Sequence, residues 1–274
     1  MMTYVCKRRL FDWRFKPQFT IYVLRDKDGN FHQAVSNQNV TNPEKLCTLK
    51  LTRDMMYPHV NRMQIPVTPC LDPATGYIVE PDPSIPRMLP DSIARHMESQ
   101  VDILQHLFTD GSLPFVVRYR GCRIENEYIT GICFESVPYR LSDAVAQGRI
   151  GDVDVFISKL STGLRRMHEC GVVHDNMSSH SVRVTENGEP CIVDFGACKR
   201  RGQRRMGYRN GTLGYTRPCA TAEFENDWYS IRILKYHLQT SLVTDPCMDT
   251  TLDELRSFIA GLDMEDHYTT NPRR

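Results

Sequence analysis

The stretch that decides the fold is GVVHDNMSSHSVRV, residues 171–184, followed closely by CIVDFGAC, residues 191–198. Both stretches contain runs of β-branched residues, which favour short buried strands. Between them, Asn187-Gly188 is a dipeptide that closes tight hairpins. Polar residues interrupt the apolar ones at two places, in His-Asp-Asn at 174–176 and at the aspartate of Asp-Phe-Gly, 194–196. The sequence therefore predicts a hairpin flanked by residues that can carry chemistry.

Outward from this hairpin, the chain has strands first and helices later. Runs of β-branched and aromatic residues predict strands at 19–26, 30–36, 46–51, 115–121 and 127–135. Apolar residues at helical spacing predict helices at about 91–108, 152–169, 224–239 and 251–262. This order indicates an α+β protein with two lobes that meet near residue 136.

Proline is concentrated in one part of the chain. Eight of the sixteen prolines lie between residues 51 and 90. Because proline lacks a backbone N–H and restricts the residue before it, this composition predicts an irregular, extended insertion.

Length and composition exclude several classes of protein. The 274 residues include 34 basic and 33 acidic side chains, a net charge of +1, which argues against a nucleic-acid binder that uses its whole surface. No apolar run approaches the ~20 residues of a membrane helix, and the first residues lack the apolar core of a secretory signal. The ten cysteines form no CxxC pair. We therefore expect reduced thiols in a cytoplasmic protein, with a nuclear location as the alternative.

The central stretch resembles the catalytic and metal-binding loops of protein kinases. His174 matches the histidine of H-R-D-L-x-x-x-N, and residues 194–196 match D-F-G. Four further segments match the family in the same order along the chain. CTLK (47–50) resembles V-A-I-K, and QVDIL (100–104) resembles part of the helix that supplies a Glu. GTLGYTRP (211–218) resembles the segment before A-P-E, and DWYSIRILKYHL (227–238) resembles a buried helix of the family. The resemblance implies a bilobal fold, with an N-lobe over 1–136 that contains the insertion 51–90, and a C-lobe over 137–274.

The positions that would carry phosphoryl transfer depart from the family pattern. Lys50 and Asp194 match the lysine that holds phosphates and the aspartate that holds Mg²⁺. Asn176 stands where the catalytic base is expected, and an amide cannot accept a proton at neutral pH. Ser181 replaces the metal-assisting Asn, and Gln100 replaces the Glu that pairs with the lysine. We expect impaired catalysis.

One alternative alignment would restore a base. A slip of one residue makes Asp175 the catalytic carboxylate. The slip moves Val172, Val173, Val182 and Val184 off apolar family positions and His174 off the family histidine. The ungapped alignment is therefore preferred, and the slip remains open.

The nucleotide seat is also altered. The resemblance implies a seat formed by Val35, Thr48, Lys50, Phe134, Glu135, Val137 and Arg183. The family's glycine-rich loop falls on 28–35, where the one glycine is better explained by a hairpin turn. Arg183 would face the adenine, where a guanidinium needs a partner. We expect weak or absent binding of ATP and Mg²⁺; the alternative is that Arg183 turns to solvent and stacks on the purine.

A basic segment follows the D-F-G triplet. It contains Lys199, Arg200, Arg201, Arg204, Arg205 and Arg209. Three interpretations stay open: a solvated loop, a nuclear-import or acidic-partner patch, and an inverted clamp. In many kinases the Arg of H-R-D grips a phosphate on this segment; here that position is Asp175, which could pair with Arg204, Arg205 or Arg209.

The expected function is that of a pseudokinase that acts as a regulatory or protein-binding module, with an acidic protein as one candidate partner. The alternative is a low-activity Ser/Thr kinase that uses Lys50 and Asp194, and Thr212 favours Ser/Thr over Tyr specificity in that case. A small-molecule phosphotransferase is disfavoured by the segments 211–218 and 227–238. Neither a membrane nor a nucleic acid is an expected partner.

Overall fold

The computed structural model describes residues 2–11, 17–63, 66–70, 72, 76–86, 92–205, 212, 215–216 and 219–240. The helices within these ranges are α1 (Arg53–Met56), α2 (Ser92–Leu107), α3 (Leu141–Ala146), α4 (Val153–Glu169) and α5 (Phe224–Gln239). The strands are β1 (Thr3–Phe11), β2 (Pro17–Arg25), β3 (Phe31–Ser36), β4 (Leu49–Lys50), β5 (Gly76–Val79), β6 (Tyr119–Glu125), β7 (Tyr128–Glu135), β8 (Tyr139–Arg140), β9 (Val172–Val173), β10 (Val182–Val184), β11 (Pro190–Ile192) and β12 (Lys199–Arg200).

The first four strands form one antiparallel sheet in the order β1-β2-β3-β4. The turn between β2 and β3 contains Gly29 at φ +83°, and the Gly29 N–H donates to Asp26 O at 3.1 Å. This confirms that the glycine serves the hairpin. Strand β1 was not predicted, because three consecutive basic residues, Lys7 to Arg9, hide the alternation that marks a strand.

A second antiparallel sheet has the order β5-β7-β6. Strand β5 lies inside the proline-rich region, where an irregular insertion was expected, and that expectation was wrong for 76–79. Gly76 pairs with Glu135 and Tyr77 with Phe134, so β5 runs along the end of β7 that precedes the predicted joint. Strand β6 begins four residues later than the strand predicted at 115–121.

Three of the predicted helices are confirmed as α2, α4 and α5, with ends within one residue of the prediction. Helix α4 shows why, since Phe156, Leu160, Leu164 and Met167 are spaced three or four residues apart and all are buried. Its N-terminus is capped by Asp152, whose carboxylate accepts the Val155 N–H at 2.9 Å. The helix predicted at 251–262 lies outside the described residues.

The main apolar core joins α2, α4 and α5 to the strands from β6 onward. The predicted hairpin is present as β10 and β11, with β8 on the other side of β10, and β12 pairs with β9. The architecture is mixed α and β with several antiparallel sheets, which agrees with the predicted α+β class. Within the described ranges, no helix is long and apolar enough to cross a membrane.

Candidate functional site

The 174–176 segment is positioned by Asp227, a fully buried carboxylate in the first turn of α5. Its Oδ2 accepts the His174 N–H at 2.8 Å, and its Oδ1 accepts the Asp175 N–H at 2.7 Å. His168 Nε2 on α4 lies 2.8 Å from Oδ2. These bonds support the left-handed backbone of Asp175, at φ +62°. Asp227 therefore holds the backbone of the 174–176 segment in place.

Asn176 and Thr212 lie against each other. Asn176 Oδ1 accepts the Thr212 backbone N–H at 2.8 Å and the Thr212 hydroxyl at 2.9 Å. The Ser181 hydroxyl donates to the Asn176 backbone carbonyl. An amide oxygen has two lone pairs, and Thr212 engages both. The structure therefore brings Asn176, Ser181 and Thr212 together.

Asp194 begins the D-F-G triplet with a left-handed backbone, at φ +65°. Its Oδ1 accepts the Gly196 N–H at 3.1 Å, while the side chain stays exposed. The following Phe195 is buried. This geometry turns the Asp194 carboxylate outward and the Phe195 ring inward.

The Phe195 ring belongs to an aromatic stack whose centre is Phe134. The Phe134 and Phe195 rings are nearly parallel, at 8°, with centroids 5.6 Å apart. Tyr77, from β5, also stacks on Phe134, with centroids 5.2 Å apart at 20°. Phe134, a residue of the predicted nucleotide seat, is thus stacked between two rings of the chain itself, Tyr77 and Phe195.

The Tyr77 hydroxyl responds to charges on the elements that follow residue 180. Burial raises the pKa of Tyr77, Cys191 and Asp194 raise it further by charge repulsion, and Arg183 lowers it. Those three residues come from β10, β11 and the turn after β11.

Arg183 has a partner inside the protein. Arg183 is half-buried, and its guanidinium donates to the Val137 carbonyl at 3.1 Å, which supplies the partner that a guanidinium needs there. The neighbouring Glu135 is exposed, and its N–H donates to the Arg118 carbonyl at 3.0 Å.

The other predicted nucleotide contacts are in the first sheet. Lys50 is exposed on the two-residue strand β4, Thr48 precedes that strand, and Val35 is 57% exposed on β3. Gln100 on α2 lies 2.6 Å from His96 Nε2. Among the described residues, no hydrogen bond or ion pair joins Lys50 to Gln100 or to Asp194. The strands that pair with β7, which contains Phe134, are β5 and β6. Neither contains a lysine that could replace Lys50 in the predicted seat.

The basic segment after the D-F-G triplet is largely engaged with the chain's own carboxylates. Arg200 lies 3.4 Å from Asp102, and Arg201 lies 3.1 Å from Glu223. Arg204 is exposed. Arg209 lies outside the described residues.

Arg205 of the same segment is buried against Asp175. Its Nε donates to Asp175 Oδ2 at 2.8 Å, and the two side chains are 1% and 0% exposed. Burial raises the pKa of the Asp175 carboxyl, and the Arg205 guanidinium opposes that rise. Of the two described arginines proposed for an inverted clamp, Arg204 and Arg205, it is Arg205 that contacts Asp175.

Sequence reasoning missed Tyr77, Cys219 and Asn226. The sequence signal for a strand at Tyr77 is the apolar run 77–79 after Gly76, which the surrounding prolines obscured. Cys219 contacts Arg205, and Asn226 contacts Asp175. No local sequence pattern predicts such contacts. Within the described residues, no group of three or more His, Cys, Asp or Glu side chains could hold a metal ion.

Comparison with known proteins finds kinases. The chain is 34% identical over 98 residues to "Mitogen-activated protein kinase kinase kinase 17" of Arabidopsis thaliana, which covers 32% of this chain and 26% of that protein. It is 29% identical over 119 residues to "Serine/threonine-protein kinase STN8, chloroplastic" of the same plant, covering 40% and 24%. It is 29% identical over 92 residues to "MAP kinase kinase kinase win1" of Schizosaccharomyces pombe, covering 32% and 6%.

These matches support a protein-kinase-like relationship over about a third of the chain. The matched part spans about a quarter or less of the length of each of these relatives. No protein-family model matches the chain.

Proposed function

We propose that this chain is a bilobal pseudokinase, a kinase-like module that regulates or binds another protein and whose phosphotransfer machinery is impaired. The observation that carries the proposal is the stacking of Tyr77 on Phe134, a residue of the predicted nucleotide seat. The two-lobed arrangement is supported by the division of elements, since both N-terminal sheets precede residue 136, and α3, α4 and α5 follow it.

The Tyr77 ring competes with a purine for the same surface. A nucleotide that approached Phe134 from β5 would have to displace Tyr77, a half-buried aromatic side chain. Complete burial of such a side chain contributes roughly 1.5–3 kcal/mol, so its displacement weakens binding by up to about 150-fold. The carbonyl of Val137, another residue of the predicted nucleotide seat, already accepts a hydrogen bond from Arg183. These contacts argue against a seat for ATP and Mg²⁺.

The chemistry of the loop supports the same proposal. Asn176 has no carboxylate to take a proton from a substrate hydroxyl, and loss of a general base costs about 10²–10⁴-fold in rate. Its amide oxygen is also engaged twice by Thr212. The predicted phosphate-binding residue, Lys50, lies in a different sheet from Phe134.

A thermal-shift experiment with millimolar Mg²⁺–ATP tests the proposal. Ligand at one hundred times its Kd stabilises the folded state by about 2.7 kcal/mol, which corresponds to a rise in Tm of roughly 5–10 °C. We expect no shift for the natural chain and a measurable shift for Tyr77→Ala. Tyr4→Ala, on the exposed part of β1, is the control for removing a tyrosine.

A shift for the natural chain, together with phosphate transfer that Asp194→Ala abolishes, would overturn the proposal. That result would favour the second candidate, a low-activity Ser/Thr kinase. One observation favours this candidate, namely that the Asp194 carboxylate is exposed and turned outward. In that case Asn176→Asp should raise the rate of transfer.

A protein partner is part of the proposal. The segment 199–209 was the candidate surface for an acidic partner, but Arg200, Arg201 and Arg205 already lie against the chain's own carboxylates. Arg201 and Arg204 are both exposed, but Arg201 is paired with Glu223, so Arg204 is better placed to meet an acidic partner. We therefore expect Arg204→Ala to weaken an acidic contact more than Arg200→Ala does.

A further inference from the structure

The segment that contains the basic residues is tied to a second stretch of backbone. The Gly202 N–H donates to Ala222 O at 2.8 Å, and the Ala222 N–H donates to Gln203 O at 2.9 Å. The Arg205 N–H donates to Ala220 O at 2.8 Å. Residues 202–205 and 220–222 therefore form a short ribbon, which we call the paired segment.

Side-chain contacts connect the paired segment to the rest of the protein. Arg205 Nε donates to Asp175 Oδ2 at 2.8 Å, and a second Arg205 nitrogen lies 2.9 Å from Cys219 Sγ. Asn226 Nδ2, at the start of α5, donates to Asp175 Oδ1 at 3.1 Å. Both carboxylate oxygens of Asp175 are thus engaged, Oδ2 by Arg205 of the paired segment and Oδ1 by Asn226 of α5.

Asp175 is itself fixed to the core. Its backbone N–H donates to Asp227 Oδ1 at 2.7 Å, and it stands next to the fully buried His174. The contact between Asp175 and Arg205 therefore connects the paired segment to α5 and to the main core. Removing one member of a buried ion pair leaves a charge without a partner, which is strongly destabilising.

We propose that the Asp175–Arg205 pair is a built-in latch that holds the paired segment in one conformation, so that its order does not depend on phosphorylation. The position that faces the segment is a carboxylate, which attracts the Arg205 guanidinium and would repel a phosphate. The chain itself supplies both charges of the contact. The latch does not depend on whether a nucleotide binds.

Hydrogen exchange read by mass spectrometry on the full chain tests the latch. We expect Arg205→Met and Asp175→Asn each to raise exchange in the paired segment at least tenfold, while α4 keeps its protection. The matched control is Arg201→Met, because Arg201 is in the same stretch and its ion pair with Glu223 is exposed. Exposed pairs contribute little, so this variant should exchange like the natural chain.

Treatment with a protein phosphatase gives the second readout. We expect treated and untreated samples of the natural chain to show the same exchange in the paired segment. Faster exchange after treatment would overturn the proposal, and so would unchanged exchange in Arg205→Met.

The charge-swapped chain, Asp175→Arg with Arg205→Asp, keeps the test decisive if a single variant fails to fold. It restores an ion pair with reversed polarity between the same two positions. We expect protection of the paired segment within about threefold of the natural chain. A swapped chain that protects α4 but leaves the paired segment unprotected would overturn the latch.

Discussion

Asp227 shows how a single residue that performs no chemical step can determine the geometry of a site. One buried carboxylate fixes two backbone N–H groups of the 174–176 segment and one imidazole. A charged acceptor in such bonds contributes more than a neutral one, about 1.5–3 kcal/mol for each bond. The segment is held in place whether or not catalysis follows.

Single residues were partly predictable from the sequence. Asn176 and Asp175 stand beside motif residues, so their positions could be read from spacing alone. Tyr77 could not, because its contact with Phe134 joins residues 57 positions apart in the chain. The hydrogen bond of Arg183 to the Val137 carbonyl was not predictable either, because it depends on tertiary geometry that spacing does not encode.

His237 gives a prediction at this scale. Burial lowers the pKa of His237, which lies 2.7 Å from the Tyr215 hydroxyl. The unfolded chain therefore binds a proton at higher pH than the folded chain does. Stability should be complete above about pH 6.5 and fall as the pH drops below that value, until the folded state also takes up the proton.

The measurement is the difference in Tm between pH 7.5 and pH 5.5. His237→Gln should reduce this difference, because the variant has no imidazole to charge at that position. His180→Gln, at an exposed histidine, is the control for removing one imidazole. A variant at position 237 that keeps the full pH difference would contradict the role assigned to His237.

Strand β5 is the element on which the proposed function rests. The helices were predictable because apolar spacing over three or four residues is local information. A four-residue strand in a region rich in proline is not, because its stability comes from pairing with β7 more than 50 residues away. The proline content is compatible with β5, since residues 76–79 contain no proline and prolines flank them.

Gly76 tests the importance of that pairing. A Cβ added at Gly76 would lie 2.0 Å from the Phe134 carbonyl oxygen, so a side chain there forces β5 away from β7. We expect Gly76→Ala to cost about 1–3 kcal/mol, which is a fall in Tm of roughly 2–10 °C by calorimetry.

The matched control is Gly151→Ala, because no atom lies within 4 Å of its added Cβ. Its Tm should change by roughly 2 °C at most, as surface substitutions do. Equal effects at the two glycines would show that close pairing of β5 with β7 is unimportant.

The described residues form one main core and smaller apolar clusters around the first sheet. Leu10, Ile21 and Val23 form one such cluster, while Tyr22 and Leu24 belong to another. Gln33 connects this sheet to the following chain, since its buried amide donates to Pro83 O and Ile85 O, each at 2.8 Å. We expect the first sheet to open more readily than the main core.

Gln33→Ala should separate the two regions in a hydrogen-exchange experiment. The substitution removes the donor for two carbonyls and costs about 1–3 kcal/mol. Exchange in β2 and β3 should rise while α4 is unchanged. Gln147→Ala, at an exposed position, is the control, and a uniform rise across the chain would instead indicate one cooperative unit.

The aromatic stack around Phe134 has a consequence for pharmacology. Inhibitors that compete with ATP are built as flat heterocycles that enter an open cleft, and here Tyr77 already fills the face of Phe134 that lies toward β5. Such a compound would have to displace Tyr77, and its affinity would fall roughly 30-fold for each 2 kcal/mol that the displacement costs. A screening library for this protein should therefore favour molecules that keep Tyr77 in place and bind elsewhere on the surface.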